Sequence, residues 1–144
     1  METELVFQIH LLCTHAMIGL IWFVQIVHYP MFDAVGSEQF TDYQIRHMRL
    51  TTYAVSPFMI GEFITLFWLF SIPEFLSNQL FLISAGLFVL IWSSTALLQV
   101  PCHNRLLKSF EPSVHRKLVA SNWIRTIAWS LRGILLILIS QSSV

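Results

Sequence analysis

"QLFLISAGLFVLIWSSTALLQV" occupies residues 79–100, and none of its 22 residues carries a charge. As an α-helix, a run of this length covers about 30 Å, the thickness of a bilayer's hydrocarbon core, and a helix satisfies its own backbone there. The stretch reads as a membrane span, and it has companions. Windows at 5–27, 50–70 and 118–139 are similarly long and apolar, separated by segments that are polar or contain proline. The whole chain, 144 residues with 56% hydrophobic and 11% charged side chains, is too apolar for a soluble domain of this size. The expected fold is all-α: one integral membrane domain over 1–144, built as an up-down four-helix transmembrane bundle. Between helices 1 and 2, Phe40, Tyr43, His47 and Leu50 recur at steps of three and four, the pattern of a short amphipathic helix at the interface.

The basic residues order these spans. Arg46 and Arg49 precede helix 2, and Arg105, Lys108, Arg116 and Lys117 lie between helices 3 and 4, so an up-down bundle collects all six at one end. The other end carries Glu2, Glu4 and Glu74. The positive-inside rule predicts a multi-pass protein of the cell membrane with both termini outside or periplasmic. With the cations used in this way, nucleic-acid binding is disfavoured. The first window follows two glutamates instead of a basic region and is expected to stay in the mature protein. Cys13 and Cys102 fall near opposite ends of the bundle and are not expected to pair. Pro57 and Pro101 predict kinks. "VQIVHYP" before "RHMRL" has a loose counterpart in "LLQVPCH" before "HRKL". Gly19, Gly61, Gly86 and Gly133, one per main helix, are candidates for close helix packing.

Charges inside the spans carry the functional question. In "NWIRTIAWSLRGILLILI" (122–139), Arg125 and Arg132 stand seven positions apart, on a stripe that includes His115, Asn122 and Trp129. Arg125 is close enough to the basic end to snorkel. Arg132 lies about 12 Å from the far end of its helix. Glu62 has a similar depth in helix 2, so the two charges are expected to pair inside the bundle. Such a pair could be a structural bridge, a carboxylate relay or an anion-binding arginine.

Histidines form a second pattern. His28, His47, His103 and His115 sit at the basic ends of the four helices, one on each. Converging there, they could ligate a transition metal or haem or transfer protons; dispersed, they would hydrogen-bond loop carbonyls. His15 shares a face with Gln8, Gly19 and Trp22 and reads as a better internal cofactor candidate than His10.

At "HYPMF" (28–32), "PCHN" (101–104) and "SNWIRTIAW" (121–129), the chain resembles a small four-helix membrane family with anthrone-oxygenase-like relatives. That resemblance implies a site containing Asn104, Asn122 and Arg125, with oxygenase chemistry. The layout is also similar to small haem-binding membrane oxidases, which use a helix-1 histidine and buried basic residues. Together these readings point to a membrane oxidoreductase acting on a lipid-soluble aromatic or quinone-like substrate, with His28, His47, Glu62, Asn104, Asn122, Arg125 and Arg132 as candidate catalytic groups. A membrane metal or haem handling protein is one alternative. A structural or transport-associated small subunit, working as a homo-oligomer or within a larger membrane complex, is another. Membrane lipid is the common surrounding in all three.

Overall fold

The computed structural model describes residues 2–142, without the side chain of Ser142, and among them the regular structure is entirely helical. α1 spans Glu2–Phe23 and continues through a π-helical turn, Val24–His28, into a 3-10 turn, Pro30–Ala34. α2 spans Phe40–Leu69, and a tight link containing α3 (Pro73–Leu76) leads to α4 (Gln79–Ser94). The third span then widens into a second π turn, Thr95–Gln99, before α5 (Val100–Leu106), and α6 (Pro112–Ser142) closes the bundle. Four of these stretches are long and apolar enough to cross a membrane: Glu2–Ala34, Phe40–Leu69, Gln79–Leu106 and Pro112–Gln141.

A short helix does precede the second span, at Pro30–Ala34, where it closes the first. The Phe40, Tyr43 and His47 stripe instead forms the opening turns of α2, which begins ten residues before the apolar window expected at 50. The reason is tertiary. Phe40 is fully buried against Phe32, Val114 and Leu118 at the basic end, so this stripe faces the bundle and not the headgroups. α6 likewise starts six residues earlier than the window at 118, opened by Pro112, whose missing amide is harmless in a first turn. Asn78 caps α4 by accepting a bond from the Phe81 amide at 3.1 Å.

The two prolines behave differently. α2 runs unbroken past Pro57, which faces outward. Pro101 comes after a π turn that opens six residues before it, as the Val24–His28 turn opens six residues before Pro30. A π turn admits one extra residue and rotates the helix beyond it, which relieves the ring's clash with the preceding turn. The loose sequence correspondence between these two segments thus has a matching backbone feature. Each π turn also carries a buried glutamine. Gln25 donates to the Val119 carbonyl at 3.2 Å and accepts from Asn122 at 3.0 Å; Gln99 accepts from Ser94 at 3.0 Å and donates to Ser121 at 3.1 Å. These bonds tie the first and third spans to α6.

Burial is arranged for lipid. Large apolar side chains such as Leu12, Phe23, Ile64, Phe67, Val89 and Ile134 are exposed, while Thr14, Glu62, Ser84, Asn122, Thr126 and Arg132 are fully buried. Hydrocarbon gives apolar groups no reason to turn inward, so polar and small residues hold the helices together. Gly61 and Gly133 serve close packing: a Cβ on Gly61 would lie 2.7 Å from the Cys13 sulfur, and one on Gly133 would collide with Ile18. Gly19 and Gly86 have nothing within 4 Å and play no such part. Cys13 and Cys102 are buried and free. α2 packs along α1, α1 along α6, and α6 along α4; α2 and α4 approach through side chains, which leaves a groove between them on the lipid side.

Candidate functional site

Two polar centres lie inside the bundle. The deeper one is built on Glu62 of α2 and Arg132 of α6, both fully buried, with Nη1 2.5 Å from Oε1. Thr14 donates to Glu62 Oε1 at 2.6 Å and Trp129 Nε1 donates to Oε2 at 3.1 Å, so the carboxylate has three donors. Arg132 also donates to the Ser84 carbonyl at 3.1 Å and to His10 Nε2 at 3.1 Å, and its guanidinium sits 5.0 Å from the centre of the Phe88 ring. Because arginine only donates, His10 must accept at Nε2 and carry its proton on Nδ1, which meets Thr65 Oγ1 at 2.7 Å. Thr65 in turn donates to the Gly61 carbonyl at 2.6 Å. Each polar group has a partner. Depth matching in the sequence anticipated the ion pair but not its surroundings.

The helix-1 histidine is therefore a correction. His10, not His15, is the internal one; His15 is exposed and bonds the Leu11 carbonyl of its own helix at 2.8 Å. The five-residue separation turns the two rings to different sides, and only His10 shares the buried face of Phe7, Thr14 and Met17. His10 and Thr14 at i and i+4, together with Thr65 three residues after Glu62, were the signals available for this centre.

The second centre lies nearer the basic end, around a cavity of about 180 Å³. Its polar lining includes Tyr29, His47, Thr51, Gln99, His103 and Arg125, and Met17, Ile21, Val55 and Met59 are among its apolar residues. Gln44 presents its amide nitrogen to His103 Nδ1 at 2.8 Å, which leaves the His103 proton on Nε2, 2.9 Å from the Tyr29 hydroxyl oxygen. The Tyr29 oxygen accepts there, so its own proton is free for a guest. Arg125 adjoins that hydroxyl and lies 5.3 Å from the Trp129 ring centre, 8% exposed; it does not snorkel. Its Nε has no hydrogen-bond partner, and among the described residues no carboxylate lies within ion-pair distance of it. Trp129 therefore stands between the two centres, its N–H on Glu62 and its ring under Arg125.

His28 and His47 touch directly, Nε2 to Nδ1 at 2.7 Å, with Thr51 Oγ1 3.1 Å from the same His47 nitrogen. At that separation the two rings are hydrogen-bonded to each other. His103 has a partner on each ring nitrogen, and His115 is turned away to bond the Tyr29 carbonyl at 2.7 Å, at the break between the π turn and Pro30. The four histidines expected as a metal-ligand set do not all come together: among the described residues, no group of three or more His, Cys, Asp and Glu side chains is arranged to hold a metal ion. Three of the four converge, and the fourth adds a second bond to the Tyr29 carbonyl, which also accepts from the Phe32 amide. A second cavity of about 410 Å³, lined by His28, Tyr43, Arg46, His47, Leu50 and Thr51, shares His47 and Thr51 with the first.

Of the residues implied by the family resemblance, only Arg125 lines the cavity. Asn104 is exposed, and Asn122 is committed to Gln25 in the clamp between α1 and α6. Tyr29, Gln44 and Gln99 were missed. Gln44 lies three positions before His47 on the same helix face, and Gln99 interrupts an apolar window, so both had a signal in spacing. Tyr29 had only its place between His28 and Pro30. The chain matches no protein family, no curated protein and no solved structure.

Proposed function

We propose that the chain is a membrane oxidoreductase acting on a lipid-soluble aromatic or quinone-like molecule, whose oxygen-bearing ring enters the Arg125 cavity from the bilayer. The observation that carries this reading is Arg125 itself. A guanidinium buried among membrane helices without a carboxylate, one donor unmatched, and set against a cavity wall is placed to receive an oxygen atom of a guest. Glu62 and Arg132 cancel each other's charge; Arg125 is left for something else. A ring oxygen lodged there would meet Arg125 and the free proton of Tyr29, the groups needed to protonate a quinone oxygen or to hold the oxyanion of a phenol. These residues supply binding and the proton half of the reaction, and the electrons belong to a separate co-substrate. The cavity is smaller than the roughly 300–1,000 Å³ that encloses a drug-sized ligand, which suits a ring whose remainder stays in lipid. The collected basic residues favour a cytoplasmic position for this end of the bundle, with both termini on the other side, by the positive-inside rule.

The test is binding of a decyl-substituted benzoquinone and its quinol to protein purified in mild detergent, followed by equilibrium dialysis. One saturable site is expected, lost in Arg125→Leu and weakened about tenfold in Arg125→Lys, which keeps the charge but not the planar fork. Absence of saturable binding to the wild-type chain rejects the reading and leaves a structural subunit as the better description. Turnover is followed separately by the optical change of quinol oxidation.

A further inference from the structure

The lipid-side groove between α2 and α4 has a volume of about 440 Å³ and is lined by Phe63, Leu66, Phe67, Phe88, Val89 and Trp92, with Gly86 at its floor. It begins where the Arg125 cavity ends. On α2 the cavity wall runs to Met59 and the groove starts at Phe63, one turn on; on the third span the groove ends at Ser93 and the cavity begins at Thr95. Cavity and groove thus succeed one another along the same pair of helices, polar at one end and apolar along the rest. From Met59 to Phe70 the run is about 16 Å, roughly half the hydrocarbon thickness.

We propose that this groove holds the hydrocarbon tail of the molecule whose ring occupies the cavity, so that the chain selects a ring carrying a long alkyl or isoprenoid chain over a free aromatic. The inference rests on the ring-binding reading given above. Three features support it. The groove's lining starts one turn from the cavity's on α2 and two residues from it on the third span, so a substituent leaving the cavity on the Met59 side would run along it. Its lining offers flat aromatic faces at Phe63, Phe88 and Trp92, whose rings lie 5.9–6.3 Å apart and give methylene groups broad surfaces to pack on. Gly86 keeps the floor clear, since a Cβ there would meet nothing within 4 Å. That glycine is not required for helix packing, unlike Gly61 and Gly133, so its absent side chain leaves room for a ligand.

Gly86 also supplies a test, because a Cβ there meets no protein atom and the position lines the groove. Gly86→Trp, and the milder Gly86→Leu, are compared with the wild type for binding of two probes that share a benzoquinone ring, one with a decyl and one with a methyl substituent. Both variants are first checked for wild-type thermal melting in detergent, and the one that melts like wild type is used. The expected result is about a tenfold loss of affinity for the decyl probe, the effect of withdrawing about two methylenes from burial, with the methyl probe unchanged. If a folded Gly86 variant binds both probes as the wild type does, the groove is filled by ordinary lipid and the inference is overturned, while the ring site stands. If the wild type binds neither probe, the ring-binding reading fails first and this inference falls with it.

Discussion

Replacing Arg132 by methionine removes a buried cation and leaves Glu62 as a buried anion held by Thr14 and Trp129 alone. The loss should be large. Breaking a buried pair from one side costs about 3–5 kcal/mol, because the surviving charge has no counter-ion and no water. Glu62→Gln should cost a similar amount by stranding Arg132, even though the amide oxygen can still accept from Thr14 or Trp129. The double variant removes both charges. What remains is the acceptor at His10 Nε2, which loses its donor, and the Ser84 carbonyl, which loses the Arg132 bond but stays inside α4. That His10 acceptor costs about 1–3 kcal/mol, and whichever of Thr14 and Trp129 the single amide oxygen cannot serve adds about 1 kcal/mol. The double variant should therefore be destabilised by about 2–4 kcal/mol, well short of the roughly 6–10 kcal/mol that two independent losses would produce, a coupling of at least about 2 kcal/mol. Equilibrium unfolding of the four proteins in mixed micelles, monitored by tryptophan emission, measures each term. Additivity of the two single effects within about 0.5 kcal/mol would refute the reasoning, since sites that do not interact add.

The same geometry sets other outcomes. His10→Leu should destabilise the protein by about 1–3 kcal/mol, because Arg132 Nη2 and Thr65 both lose a partner, whereas His15→Leu, at an exposed ring, should stay within about 0.5 kcal/mol; thermal melting of the pair in detergent distinguishes them. Gly133→Ala drives a methyl group into Ile18 Cδ1, the movable end of that side chain, and should cost no more than about 1 kcal/mol, while Gly19→Ala, with open space around it, should be neutral or stabilising by up to about 1 kcal/mol by the same measurement. A single cysteine at Lys108, in a chain whose buried Cys13 and Cys102 are replaced by serine or alanine, should react with a membrane-impermeant thiol reagent only after the cell is opened; labelling in intact cells would overturn the proposed sidedness.

Much of the architecture could be read before any coordinates. A charge-free run such as 79–100 admits few structures other than a spanning helix, and four such windows with the cations at alternate gaps leave little choice of topology. The pairing of Glu62 with Arg132 was legible for the same reason. A buried charge in hydrocarbon needs a counter-charge at its own depth, and depth is a one-dimensional quantity that residue counting supplies. Azimuth is not. Which way a side chain points about its helix depends on accumulated rotation, and each π turn shifts that rotation for everything beyond it. Counting therefore put four histidines in one layer but could not tell that His115 turns to the Tyr29 carbonyl while His28 turns to His47, or that Asn122 faces Gln25 and Arg125 faces the cavity. His10 and His15 make the same point within a single helix. Sequence alone determined the spans and the depth of each charge, because the bilayer imposes a ruler along its normal. Tertiary structure decided which polar groups meet and that Arg125 has no carboxylate beside it and an unmatched Nε, because that depends on rotation and packing between helices far apart in the chain.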